Sequence, residues 1–342
     1  MKTWIRIILI ALIAIGLTKA IDYFLDNKLS NFDCEAELYV RPETGPQEVL
    51  EQLDSLVKRP RSLERTFEKK EVQDNMQSGH YVIPAGSPSV YVARMLNNGW
   101  QTPVRMTLSG TLRKKGEIAR KISNQMMVDS ATVRAAFSDS ELLAKFGFDT
   151  VSVFGMFIPD TYEMYWTDPV ETIFERQKKA YDDFWTPEKL AKAKKQGLTR
   201  EQVSIVASIV SGETNYLPEM PDIASVYLNR LRKGMRLQAD PTIAYCFDYN
   251  VNRILKKHLE VDSPYNTYKH AGLPPGPIYI PSKDALEAVL NPNPTPYIYF
   301  CADPSFNGSH RFAVSYKDHI NNARAFQKAL SRRAAEKRGA QK

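Results

Sequence analysis

Between Thr199 and Glu213 the chain spells an amphipathic helix and then sets a carboxylate on its apolar stripe. Thr199 is the N-cap residue, and Gln202, three positions on, completes a capping box. Val203, Val206, Ile209 and Val210 follow at helical spacing. Glu213 lies four residues past Ile209 and seven past Val206, so it shares their face. A carboxylate on a buried stripe is either paired or functional. Arg230 and Arg232 are the partners the sequence offers for a structural salt bridge. The functional reading uses the raised pKa that water-poor surroundings give a carboxyl, which a general acid needs near neutral pH. On this stretch alone both readings stay open.

The following residues supply polar groups around that acid. Asp222–Lys233 reads as a second helix with Ile223, Val226, Tyr227 and Leu231 inward and Gly234 as its stop. Asn229 lies on it. Leu237–Thr242 is then a loop dense in hydrogen-bonding groups, among them Gln238, Asp240 and Thr242. The prolines and glycines of Ser263–Pro281 (SPYNTYKHAGLPPGPIYIP) fix a rigid irregular course, with Tyr265, Asn266 and Tyr268 available to line a cleft. Rigid polar loops around an acid suit a polysaccharide site. His310, alone in a loop, reads as structural.

The rest of the chain bounds the setting. It has 342 residues, 43% hydrophobic and 25% charged, enough for two globular domains. The net charge of +7 is partly local. Basic groups cluster at Lys69–Lys70, at Arg113–Lys115, and in the tail Arg332, Arg333, Lys337, Arg338 and Lys342, where Glu336 is the one acid. Such a balance fits nucleic acid, an anionic membrane face or an acidic polymer. There is no nucleic-acid motif, so no nucleic-acid partner is expected. Cys34, Cys246 and Cys301 show neither a disulfide framework nor metal-ligand spacing, and read as partly buried thiols.

The amino terminus reads as a membrane address. Met1–Arg6 is basic and Ile7–Thr18 is uninterrupted apolar sequence. Trp4, Ile5 and Ala20–Leu25 extend it towards the roughly 20 residues of a span. Arg6 and Lys19 would snorkel to the headgroups. A cleaved signal peptide, with Thr18 and Ala20 as the small residues before the cut, is the alternative. Lys2 and Arg6 put the amino-terminal side in the cytoplasm, and all beyond about residue 25 outside it.

Residues 79–125 read as two successive strand–turn–helix units. The first has Tyr81–Ile83, Ser87 as N-cap, Pro88 in the first turn, and Val90–Leu96. The second has alternating Val104, Met106 and Leu108, then a helix with Ile118 and Ile122. Residues 126–198 are largely helical, with Gly155–Tyr162 extended and Trp166 and Trp185 as aromatic mass. Asp284–Leu290 is a short helix, Pro296–Cys301 a strand, and Phe312–Val314 its partner.

From about residue 79 the order of motifs resembles the membrane-anchored endolytic murein (peptidoglycan) transglycosylases of bacteria. The pieces are FIPDTY (Phe157–Tyr162), ASIVSGET (Ala207–Thr214), VYLNRL (Val226–Leu231), GMRLQADPT (Gly234–Thr242), SPYNTYKHAGLPPGP (Ser263–Pro277), PTPYIYFCAD (Pro294–Asp303) and HRF (His310–Phe312). Ser211–Gly212 stands where that family commonly shows a charged pair, which leaves Glu213 as the glutamate matching the catalytic one.

The resemblance implies an α+β chain: a membrane anchor (1–25), a stalk and lead-in (26–78), a small LysM-like α/β module (79–127), a larger mixed α+β catalytic domain (128–331) and a basic tail (332–342). It implies non-hydrolytic cleavage of the MurNAc–GlcNAc β-1,4 bond within nascent strands, leaving 1,6-anhydromuramoyl ends and terminating strand elongation. Glu213 would act as acid and then base. Asn229, Gln238, Asp240, Thr242, Tyr265, Asn266 and Tyr268 would hold the sugars. No metal or organic cofactor is called for. The implied partners are peptidoglycan strands, the inner membrane and the peptidoglycan synthases. A non-catalytic cell-wall-binding protein and a hydrolytic muramidase are the rival readings.

Overall fold

The computed structural model describes residues 2–339; residues 340–342, with Lys342 of the basic tail, lie outside the described residues. The chain divides into two units, each with its own core.

The first unit comprises the residues up to Met106 together with Asn124–Val128 and Tyr162–Pro169. It begins with α1 (Lys2–Asn27), whose apolar side chains are turned outward, Trp4 being 72% exposed. The stretch Thr3–Asn27 has the length and hydropathy of a membrane span, measures a signal sequence also meets. The last turn of α1 is tied down: buried Asp26 accepts from Arg65 at 2.6 Å, Ser62 at 2.8 Å and Lys69 at 3.1 Å.

Strand β1 (Ala36–Val40) pairs antiparallel with β2 (Gly79–Ile83) in the register Ala36↔Ile83 to Val40↔Gly79. Three helices lie between them in sequence: α2 (Pro46–Leu53), α3 (Pro60–Lys69) and the single turn α4 (Val72–Asn75). With α5 (Ser89–Asn97) they enclose Phe32, Leu38, Val49, Leu63, Phe67, Tyr81 and Leu96. Residues 26–78 are therefore not a stalk; they build half of this core. Within them α3 buries Ser62, Leu63, Thr66 and Phe67 on one face and gives the other to water.

The strand–helix units read at 79–125 form, but their strands pair outside that block: β2 with β1, and β3 (Val104–Thr107) with β4 (Thr161–Met164). The LysM-like boundary at 79 accordingly cuts a hydrogen-bonded ladder. The cap of α5 also sits one residue later than Ser87. Ser87 donates to the carbonyl of Pro84, closing the preceding turn, and Pro88 takes the N-cap position.

The second unit comprises Thr107–Ser123, Asp129–Thr161 and Val170 onward. Helices α6 (Lys115–Ser123), α7 (Ser130–Ala136), α8 (Ser140–Lys145), α9 (Val170–Phe184) and α10 (Pro187–Lys195) lead to α11 (Arg200–Glu213). Both halves of the capping box are made, Gln202 N–H to Thr199 Oγ1 at 3.3 Å and Thr199 N–H to Gln202 Oε1 at 3.0 Å. Val203, Val206, Ile209 and Val210 are fully enclosed. Around α11 pack α12 (Met220–Arg232), α13 (Asp240–Cys246) and α14 (Lys283–Leu290). Strands β5 (Tyr299–Ala302) and β6 (His310–Ala313) pair with Phe300 opposite Phe312, and α15 (Tyr316–Gly339) lies against them. Residues 332–339 of the basic tail continue α15.

Two local readings shift. Gly155–Tyr162 is a 3₁₀ turn at Val153–Met156 followed by buried Phe157 and Ile158, and becomes a strand from Thr161. Cys246 and Cys301 are half-buried free thiols as read, whereas Cys34 is exposed. Mixed helix and short paired strands make this an α+β fold.

The capping box carries a test. Thr199→Ala removes one satisfied amide at the start of the central helix, at a cost of about 1 kcal/mol. A lowering of Tm by about 2–4 °C is expected for a unit of this size. An unchanged Tm means the cap contributes nothing to stability.

Candidate active site

Glu213 is the last residue of α11, where the helix runs out of the core. Its Oε1 accepts from the Tyr227 hydroxyl at 2.5 Å, and Tyr227 is itself buried on α12. Burial pushes the Glu213 carboxyl up to about 7 from an ordinary 4.5. The Tyr227 hydrogen bond opposes that rise, nearby Asp240 adds to it, and Arg230 opposes it. Burial and the adjacent carboxylate drive the Tyr227 hydroxyl further from ionisation.

The structural-salt-bridge reading finds no support in the geometry. Among the described residues Glu213 has no ion-pair partner. Arg230 spends its donors on backbone, Nε on the Ile298 carbonyl at 2.7 Å and NH1 on that of Leu237 at 2.6 Å. Arg232 is held by Asn229 and Gln196.

The backbone before Glu213 fits because it carries no side chain. A Cβ on Gly212 would stand 2.6 Å from the Tyr279 ring and 2.7 Å from Pro241. Ser211 accepts from the amide of Ser282 at 3.1 Å, joining α11 to the start of α14. Ser211 and Gly212 thus pack and fasten the segment that carries Glu213.

Three cavities meet at Glu213. One of about 330 Å³ is bounded also by Tyr227, Gln238, Asp240, Tyr268, Tyr299 and His319. A second of about 240 Å³ contains Asp240, Arg113, Tyr249 and Tyr279. A third of about 640 Å³ runs past Asn215, Tyr216, Asp303 and His310. The acid therefore borders all three spaces, a recess referred to below as the trough.

Of the residues read from sequence, Glu213, Gln238, Asp240 and Tyr268 come together at this trough. Asp240 is the first residue of α13 rather than part of a loop, because Pro241 starts a helix there. Its Oδ1 accepts from the Tyr268 hydroxyl at 2.6 Å. Gln238 reaches the cavity from a left-handed backbone conformation, φ 50°.

Of the other four, three hold backbone and one packs on a ring. Asn229 donates to the carbonyls of Thr295 and Tyr297 at 2.8 and 2.9 Å. Thr242 is enclosed, bonded to the Ala239 carbonyl and to Thr267. Asn266 is equally enclosed and donates to the carbonyls of Leu259 and Val261. Tyr265 packs on Tyr245, ring centres 4.5 Å apart, and borders none of the three cavities. These side chains shape the loops that carry the trough.

Tyr227 escaped the sequence reading because its position on α12 matches a core stripe. Tyr279, Tyr299 and His319 lie 66 to 106 residues beyond Glu213 in sequence, and no spacing rule links them to it. His310, read as structural, is hydrogen-bonded to Glu219 at 3.0 Å.

Residues 38–325 match the YceG-like family, and the chain belongs to it. The match begins at β1, in keeping with the core that strand shares with β2. Over 168 residues the chain is 38% identical to an endolytic murein transglycosylase of Bacillus subtilis (strain 168), covering 48% of this chain and 45% of that one. Over 173 residues it is 31% identical to an endolytic murein transglycosylase of Streptococcus pneumoniae (serotype 2, strain D39), covering 49% and 31%. The chain thus matches less than half the length of these relatives. The crystal structure of a putative YceG-like protein from Listeria monocytogenes aligns with a TM-score of 0.55 at 25% identity, over 84% of this chain and 98% of that one.

The raised pKa has a consequence for stability. Burial disfavours the ionised carboxyl, so folding favours the protonated form. The stability this gives is fully present below the ordinary 4.5 and is lost as pH rises through about 7. Glu213→Gln cannot ionise and escapes that loss. Its stability relative to the natural protein should climb between pH 4.5 and 7 by about 1–3 kcal/mol and then level off. A difference constant with pH contradicts the raised pKa.

Proposed function

We propose that this protein is an endo-acting lytic transglycosylase of peptidoglycan, with Glu213 as its acid and base. The carrying observation is a carboxyl that borders three cavities, is hydrogen-bonded to Tyr227, has no ion-pair partner among the described residues and is raised to about 7. The names of the relatives from Bacillus and Streptococcus supply the polymer.

In the proposed reaction protonated Glu213 gives its proton to the glycosidic oxygen as the C1–O4 bond breaks. The GlcNAc side leaves with a free 4-hydroxyl. The C6 hydroxyl of the same MurNAc closes onto C1, and the carboxylate of Glu213 takes the proton it loses. The balance needs no water, and the internal nucleophile benefits from proximity. Tyr227 holds the carboxyl in place for both transfers. The Asp240 carboxylate favours positive character at C1, the Tyr268 hydroxyl that donates to it holds it in position, and Gln238 contacts the sugars.

Asp240 also supports the rival of a hydrolytic muramidase, since two carboxylates beside one bond can direct a water. Mass spectrometry of the products decides: anhydro ends for the transglycosylase, reducing ends for the hydrolase, uncut strands for a binding protein. Glu213→Gln should lower anhydro-end formation by about 10³-fold or more, since the group serves twice. More than a tenth of activity remaining removes Glu213 from this role. Asp240→Asn should cost about tenfold in kcat, some 1.4 kcal/mol, with Tm little changed. A variant that melts early and cuts normally when folded makes Asp240 structural.

The setting we propose is a retained single-pass anchor in the inner membrane with the remainder in the periplasm. There the enzyme meets nascent strands leaving the synthases and ends their elongation. The length and hydropathy of Thr3–Asn27 support this setting. The amino-terminal sequence of the mature protein should precede Ile21; a chain starting at Ile21 means a cleaved signal.

A further inference from the structure

One large space that shares Arg113 and Tyr249 with a Glu213 cavity is not accounted for by the chemistry at Glu213. It is a cavity of about 790 Å³ lined by the start of α6, by α7, and by the end of α13 with the turn that follows. Five cations border it, Arg113, Lys114, Lys115, Arg120 and Arg134, against the acids Glu117 and Asp248. Lys114 is paired with Asp248 at 3.4 Å. Lys115 donates to the Phe137 carbonyl at 2.8 Å. Among the described residues Arg113, Arg120 and Arg134 have no carboxylate partner. The first turn of α6 also borders the cavity, adding the positive end of a helix. Phe154, Tyr245 and Pro277 add apolar and aromatic groups to the lining.

Arg113 and Tyr249 border both this cavity and the one containing Glu213 and Asp240. The Arg113 guanidinium lies over the rings of Tyr249 and Tyr279, 5.6 and 5.3 Å from their centres. Cation–ring contacts hold it without neutralising it.

We propose that this cavity is a subsite for the acidic peptides carried by the muramic acid residues of the strand, and that it seats a peptide-bearing sugar next to the bond being cut. The proposal rests on the functional reading above. Guanidiniums pair with carboxylates through two parallel hydrogen bonds. Here they come from the loop ahead of α6, from α6 and from α7, around a lining that includes Phe154, Tyr245 and Pro277. That arrangement fits an extended chain with several carboxylates and small apolar side chains better than one compact phosphate, which would draw the cations to a single point.

The test uses the full-length protein and the double variant Arg120→Gln, Arg134→Gln. Both residues are exposed and unpaired, so Tm should be unchanged. Anhydro ends are counted on strands bearing peptides and on strands stripped of them. The variant should raise KM about tenfold on peptide-bearing strands, with kcat unchanged and stripped strands cut as before. The difference between the substrates should shrink in high salt. Equal loss on both substrates, or loss on neither, overturns the proposal. So does a loss seen only on stripped strands ending in a polyprenyl diphosphate, which assigns the cations to phosphate.

Isothermal titration of the free acidic tripeptide into Glu213→Gln protein reads the subsite without cleavage. Saturable binding that the double substitution abolishes supports the subsite; no binding overturns it. Failure of the natural protein to make anhydro ends refutes the functional reading separately.

Discussion

The contact between Tyr227 and Glu213 is the interaction on which the rest of this structure depends. A carboxyl at the end of a buried stripe is costly unless it stays protonated or finds donors. Here it has one strong donor and, among the described residues, no ion-pair partner; Arg230 is engaged with the carbonyls of Ile298 and Leu237. A cation in contact would have lowered the pKa into the ordinary carboxylate range and removed the acid. Engaging Arg230 with Ile298 and Leu237 leaves Glu213 near neutrality and also fixes the strand and the loop that border its cavity.

Rigidity of the trough comes from side chains that never reach it. Asn266 closes the turn ahead of Tyr268, so the hydroxyl of Tyr268 arrives at Asp240. Thr242 and Thr267 join α13 to that same loop. Asn229 fastens the segment ahead of β5. Satisfying buried backbone in this way lets irregular loops hold a fixed geometry. It also explains why polar residues concentrate in the motifs while only some of them face the cavities.

The same fact sets how far the site was legible in the sequence. Glu213 was legible because a helix period and a charge collided at one position. Asp240 and Tyr268 were legible as polar groups in rigid loops, but so were Thr242 and Asn266, and composition cannot distinguish a loop's staple from its working surface. Tyr227 was hidden, since a tyrosine on a core stripe is ordinary until its hydroxyl has a partner. The fold was read well where the signal was local, as in the capping box of α11 and the pairing near Phe300 and Phe312. It was misread at 26–78, because β1 is recognisable only through its partner β2, some forty residues on.

Everything proposed for the chemistry depends on Glu213 carrying a proton near neutral pH. The most direct measurement is a ¹³C NMR titration of glutamate side-chain carboxyls, with the Glu213 signal assigned by its loss in Glu213→Gln. A midpoint near 7 is the predicted result. A midpoint near the ordinary 4.5 would contradict the account, because Glu213 would then be an anion at working pH with no proton to give.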